Sequence, residues 1–292
     1  MREWTPVSPI LSNNWMQELR RVSSVVMFGV VVMSVASVLA AQAQNTPSNT
    51  FCEGCLLPPV GLIGWWPGDG NAIDIQLGNN GTLMNGAGFG AGLIKQAFRL
   101  NGDDDFVDVP DAPALHAIAT AVTIDAWINP RPAPFGEEFV FARRDPFVSE
   151  GISLFINNDG YLRTQMQTDA SAAFSEADSA APVISFNGQW QHIAVTADTA
   201  TGKVALYLNG KAIPIVTIGS IGGQFSNVTH LFFGRRQGLD TPEGVQGALP
   251  YKGLIDEVEL YNRALRPTEI EAIYRAGSKG KCKPRFAVVG SD

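Results

Sequence analysis

The chain is poor in the residues from which most catalytic and metal centres are built. Its 292 residues hold three cysteines (Cys52, Cys55 and Cys282) and three scattered histidines (His116, His192 and His230). So few ligands at such spacings argue against a zinc site. There is no basic run, and the formal net charge is −7. That balance argues against nucleic acid as the partner, since phosphate backbones are bound by clustered Lys and Arg. No G-x-S-x-G elbow, H-E-x-x-H pair or P-loop occurs. The acidic run Gly102-Asp103-Asp104-Asp105 lacks the twelfth-position Glu of an EF-hand loop. Glycoside hydrolysis on one strand needs two carboxylates about 5–5.5 Å apart, which positions i and i+4 supply. Glu257 and Glu259 stand at i and i+2, and the adjacent Glu137 and Glu138 project to opposite faces. These absences argue against an enzyme.

What is present is core-forming and heavily punctuated. Hydrophobic residues make up 45% of the chain, with 30 Gly and 18 Pro. That suits one sizeable core built from many short strands. Residues 1–43 carry Arg20 and Arg21, then an apolar run from Val25 to Ala41, then Ala41-Gln42-Ala43. This is the pattern of an export signal, with an uncleaved N-terminal anchor as the alternative and the only route to a membrane. Either way the remainder is expected outside the cytoplasm: secreted, periplasmic or at the cell surface. Residues 44–60 read as a linker carrying Cys52 and Cys55. Export makes disulfides the default, so Cys52 or Cys55 is expected to bridge to Cys282, leaving one thiol over.

Several stretches alternate as strands should. In Ala121–Pro130, Val122, Ile124, Ala126 and Ile128 share one face, while Thr123, Asp125, Trp127 and Asn129 share the other. Val204, Leu206 and Leu208 oppose Tyr207, and Asn209-Gly210 is a strong hairpin turn signal. In the segment Tyr251–Tyr261, alternation puts Leu254, Asp256, Val258 and Leu260 on one side and Ile255, Glu257, Glu259 and Tyr261 on the other. After a turn, Ile270, Ile273 and Tyr274 recur at helical spacing, with Pro267 in the first turn and Gly277 at the stop.

Five of these stretches together resemble one family. Gly61-Leu-Ile-Gly-Trp-Trp-Pro-Gly-Asp-Gly70, Asn79-Asn-Gly-Thr-Leu83, Gln96–Pro110, Gln189–Thr196 and Gly253–Ile270 follow, in order, the motifs of laminin-G-like/pentraxin-like (concanavalin A-like) jelly rolls. The chain departs at Arg266, where the family usually has a helix-capping serine, and at Gln191, which replaces a histidine. The resemblance spans residues 61–277, leaving 278–292 as a C-terminal tail. It implies an all-β, two-sheet antiparallel jelly-roll sandwich with one short C-terminal helix.

It further implies a binding module without catalysis, recognising glycans or cell-surface and matrix polymers. A structural or adhesive protein–protein domain is the alternative, and a divergent polysaccharide hydrolase the second alternative. A structural Ca²⁺ of the kind related jelly rolls hold would fall to Asp69 and Asp256. Trp127, Trp190, His192 and Tyr207 are expected to share an open face on which sugar rings could stack.

Overall fold

The structure is a computed structural model, and it describes residues 54–133, 136–144, 151–169, 175–225, 228–241, 244–247 and 249–284. The export segment and Cys52 lie outside the described residues.

Two eight-stranded antiparallel sheets face one another. Across the first sheet the strands run Lys211–Ala212, Lys203–Leu208, Gln191–Asp198, Ala121–Pro130, Lys252–Tyr261, Gln96–Asn101 and Gly88–Ala91, and Leu62–Trp66 also pairs with Lys252–Tyr261. The second runs Ile215–Ile218, Ser175–Ser179, Leu162–Gln167, Gly151–Asn157, Glu137–Arg144, Leu231–Phe233, Phe106–Val109 and Thr82–Met84. A separate hairpin pairs Leu239–Thr241 with Gly244–Gln246. Among the described residues one α-helix, α1, spans Pro267–Ala276.

Alternation explains the core. Val122, Ile124, Ala126 and Ile128 join Ile193, Val195 and Ala197 on the inner face of the first sheet. They pack against Ile152, Leu154, Ile156, Val107, Val109 and Phe233 of the second. Trp66 enters this core edge-on to Phe233, with ring centroids 5.1 Å apart, and donates its indole N–H to the Asn79 carbonyl at 2.8 Å.

The strand Lys252–Tyr261 departs from simple alternation. Its register with Ala121–Pro130 slips between Asp256 and Glu259, and Glu257 has φ +52°. This bulge changes the parity, so Ile255, Val258 and Leu260 all enter the core. Asp256, Glu257 and Glu259 are buried polar groups on the opposite side instead.

The ends of the sandwich are also more ordered than a linker and a tail. Leu56 forms a parallel bridge with Lys281. Cys282 N–H donates to the Leu56 carbonyl at 2.8 Å, and Leu56 N–H to the Gly280 carbonyl at 3.0 Å. Cys55 and Cys282 are joined by a disulfide, which decides between the two candidate cysteines.

Helix α1 starts without a serine cap: the Glu269 carboxylate instead accepts the Arg266 backbone N–H at 2.8 Å. Arg263 donates to the same carboxylate, and that pairing comes first among the causes that hold Glu269 down at about 2. The helix lies across the hairpin at Asn209-Gly210, whose φ values are +50° and +77°. A Cβ at Gly210 would stand 2.8 Å from the Tyr274 Cβ. Gly210→Ala is therefore expected to cost about 1–3 kcal/mol, through backbone strain and displacement of the helix. Thermal unfolding checks this, and a melting temperature equal to wild type would remove the close approach.

Candidate functional site

The outer face of the first sheet is covered. Leu265, Ile270 and Ile273 of the α1 region pack on Leu62, Trp65, Ala194, Tyr207 and Tyr261. The Trp127 ring stacks on Tyr274 at 5.7 Å and lies 5.2 Å from the His192 ring. Trp127, His192 and Tyr207 are 7%, 0% and 3% exposed. The expected open aromatic face is thus corrected: three of its four members are buried, Tyr207 in a second core beneath α1 and Trp127 and His192 against Tyr274 of that helix. Trp190 is half-buried just ahead of the strand Gln191–Asp198. Alternation placed Trp127 outside the sandwich correctly, but it carries no information on a third layer.

The same side of the sheet holds a buried charge cluster. Trp65 Nε1 donates to Glu257 Oε2 at 2.6 Å, and Lys283 Nζ is 2.7 Å from Glu257 Oε1. Lys281 Nζ contacts Glu259 Oε1, and the Tyr261 hydroxyl donates to Glu259 Oε2 at 2.5 Å. Asp69 accepts from Lys283 at 2.7 Å and from Lys95 at 3.1 Å, while Asp256 accepts from the Ile94 N–H at 3.0 Å.

Four buried carboxyl groups (Asp125, Asp256, Glu257 and Glu259) thus share two ammonium groups. Burial, aided by the neighbouring Glu257, pushes Asp256 up to about 8. Burial likewise raises Glu259 to about 8, Lys281 opposing and Asp125 adding to the rise. Among the described residues, no group of three or more His, Cys, Asp or Glu is arranged to hold a metal ion. Of the two aspartates expected to hold calcium, Asp69 is paired with the Lys95 and Lys283 ammonium groups and Asp256 is buried.

The outer face of the second sheet carries polar side chains at alternate positions. Arg163 lies at its centre, 2.5 Å from Glu137, 2.5 Å from Glu176 and 2.9 Å from Asp178. Burial lowers its affinity for protons, but the three carboxylates override this and hold the guanidinium above its usual range. Gln165 bridges Glu176 and Arg144, donating at 2.7 Å and accepting at 2.6 Å. Under this network the Phe139 and Phe155 rings stack at 4.4 Å and 7°. Arg163 lies over Phe155 at 5.2 Å and Arg236 over Phe139 at 5.5 Å.

Farther along, Arg235 covers Phe106 at 3.8 Å, and His230 stacks near Phe232 while pairing with Asp108 at 2.7 Å. Glu137 does point outward and Glu138 inward, as adjacency requires. Glu138 is fully buried, accepts the Lys252 N–H at 2.9 Å, and is pushed by burial to about 7. The signal for this surface was present as Arg163-x-Gln165-x-Gln167 facing Glu176-x-Asp178. Alternating polar residues describe any solvated strand face, so the pattern alone does not mark a site.

The two stacked antiparallel sheets define a jelly-roll sandwich. A family model described as the concanavalin A-like lectin/glucanases superfamily matches residues 101–271, and the chain belongs to that superfamily. No curated protein matches it. Among solved structures, the binding domain of Paraclostridial mosquitocidal protein 1 superposes with a TM-score of 0.56 at 19% identity, covering 73% of this chain and 52% of that one. The botulinum neurotoxin serotype G binding domain gives 0.55 at 14%, covering 73% and 50%. The binding domain of botulinum neurotoxin DC, in complex with rat synaptotagmin II, gives 0.54 at 16%, covering 74% and 51%. The chain spans about half the length of these structures, and at such identities the likeness is one of fold. No helix among the described residues is long and apolar enough to cross a membrane.

Proposed function

We propose that this chain is an exported, non-catalytic binding module that takes a glycan or cell-surface polymer on the outer face of the second sheet. The observation that carries the reading is the Arg163 network. Guanidinium, carboxylate and amide groups stand fixed at strand spacing, several of them part-exposed, over a buried aromatic bed. Planar groups with preset donors and acceptors suit the hydroxyls of a sugar, because little freedom is lost on binding. Export is supported by the sequence of residues 1–43 and by the disulfide.

The adhesive, protein-binding alternative draws on the edge strand Ile215–Ile218. It lies at the end of its sheet with Val216 and Ile218 59% and 62% exposed, a template for strand addition.

A glycan array probed with the wild type, Asp178→Ala and Gln167→Ala tests the first reading. Both side chains sit on the outer face and are part-exposed. Each substitution is expected to weaken binding about tenfold while shifting the melting temperature little, and binding should not respond to EDTA. Unchanged binding by both variants would sink the assignment of this face. A silent array together with capture of a protein partner by the edge strand would favour the alternative.

A further inference from the structure

The contact between Lys281 and Glu259 is enclosed on every side. Glu259 stands in register with Asp125 on one neighbouring strand and with Trp65 on the other. Lys281 arrives from the chain end, held by its bridge to Leu56 and by the disulfide at the next residue. Its Nζ touches Glu259 Oε1 and lies 5.5 Å from the centre of a Trp65 ring. Glu259, Trp65 and Tyr261 are wholly inaccessible to solvent, and Lys281 nearly so. Asp125 is 1% exposed, and its Oδ2 has no hydrogen-bond partner.

An ion pair so placed loses the hydration of both charges, and a second carboxylate, Asp125, opposite Glu259 adds repulsion. Condensation removes two charges from the dry site and releases one water.

We propose that Lys281 and Glu259 are joined by a side-chain amide, an intramolecular isopeptide cross-link that forms after folding. The Lys281 ammonium passes one proton to the Glu259 Oε1 it touches, leaving a neutral amine and a neutral carboxyl group. The amine attacks Glu259 Cδ. The Tyr261 hydroxyl, already donating to Oε2, stabilises the negative charge that develops there. Asp125, in register opposite, takes the second proton from the attacking nitrogen and returns it to Oε1, which leaves as water. An ammonium and a carboxylate thus become an amide and one water, with no oxidant, reductant or cofactor. Burial favours the protonated carboxyl at Glu259, as its upward shift indicates. Lys281 is itself held in its ammonium form by Glu259 and Asp125 against burial, which is why a proton acceptor is required.

The full chain, unfolded and with its disulfide reduced, is weighed intact and then digested with trypsin. The expected mass is one water below that of its own mature sequence. A branched peptide should join residues 253–263 to residues 280–285, because an amidated Lys281 resists cleavage and trypsin does not cut between Lys283 and Pro284. Lys281→Met should restore the full mass and give linear peptides. Asp125→Asn should do the same while the Cys55–Cys282 bridge still forms. Full mass and two linear peptides from folded, disulfide-bonded wild type would overturn the cross-link and leave a simple ion pair. That result stands even if Lys281→Met does not fold.

Discussion

Breaking the Cys55–Cys282 bridge, by reduction or by Cys282→Ser, is expected to lower the melting temperature by about 10 °C or more. The two cysteines are 227 residues apart in sequence, so the bond closes almost the entire described domain into one loop. In the chain-entropy description a loop of that size is worth about 5 kcal/mol as an upper figure, since the unfolded ensemble loses most when distant points are tied. The bridge also positions the parallel pairing of Leu56 with Lys281, which brings that side chain to Glu259. Loss of the bond therefore loosens the segment that covers the buried carboxylates and carries Lys283 to Glu257. Unfolding followed with and without reductant measures the effect. A shift of only a degree or two would mean that the strand pairing and the ion pairs hold the ends without it.

Stability is expected to fall as pH rises from about 5 to about 8, with Glu138 and Asp256 responsible. Glu138 moves from an ordinary value of 4.5 to about 7, and Asp256 from 3.8 to about 8, each chiefly through burial. The folded chain therefore keeps protons that the unfolded chain has already released. Linkage then lowers stability between the unfolded and folded values, and the loss levels off above the folded value. For Glu138 the loss is of the order of 3 kcal/mol, and Asp256 should contribute at least as much.

At the acid end Glu269 acts in the opposite sense. Its pairing with Arg263 holds it at about 2, so its contribution is present above 4.5 and is lost as pH falls toward 2. A maximum near pH 4 follows. Glu138→Gln keeps an acceptor for the Lys252 N–H, and Asp256→Asn keeps one for the Ile94 N–H. Each should raise the melting temperature at pH 8 and change it little at pH 4. A wild type that gains stability between pH 5 and pH 8, with variants that track it, would contradict the burial argument.

These two effects arise where local pattern was weakest as a guide. The bulge at Glu257 could not be read from Tyr251–Tyr261, because a one-residue insertion against a partner strand leaves no mark on composition. Its consequence is large: it turns Val258 and Leu260 inward and collects three carboxyls on one outer face. Lys281 and Lys283 lay in a stretch that reads as a tail, and only their arrival beside residues far back in the chain gives them a role. The aromatic face failed for a related reason. Trp127, His192 and Tyr207 do lie outside the sandwich, but α1 returns over them, and the docking surface of a helix depends on the whole path of the chain.

The sequence by itself determined the class of fold and the positions of several of its strands. Alternation with period two, turn chemistry at Asn209-Gly210 and the amphipathic run Pro267–Ala276 act within a few residues, where backbone sterics and side-chain polarity decide the outcome. It also confined the bridge to Cys282 and one of two near neighbours. Tertiary structure alone decided which cysteine was used, which faces stayed open and which charges were buried together. Those outcomes depend on contacts between residues up to 227 positions apart, and on the dry environment those contacts create. No local reading carries either quantity.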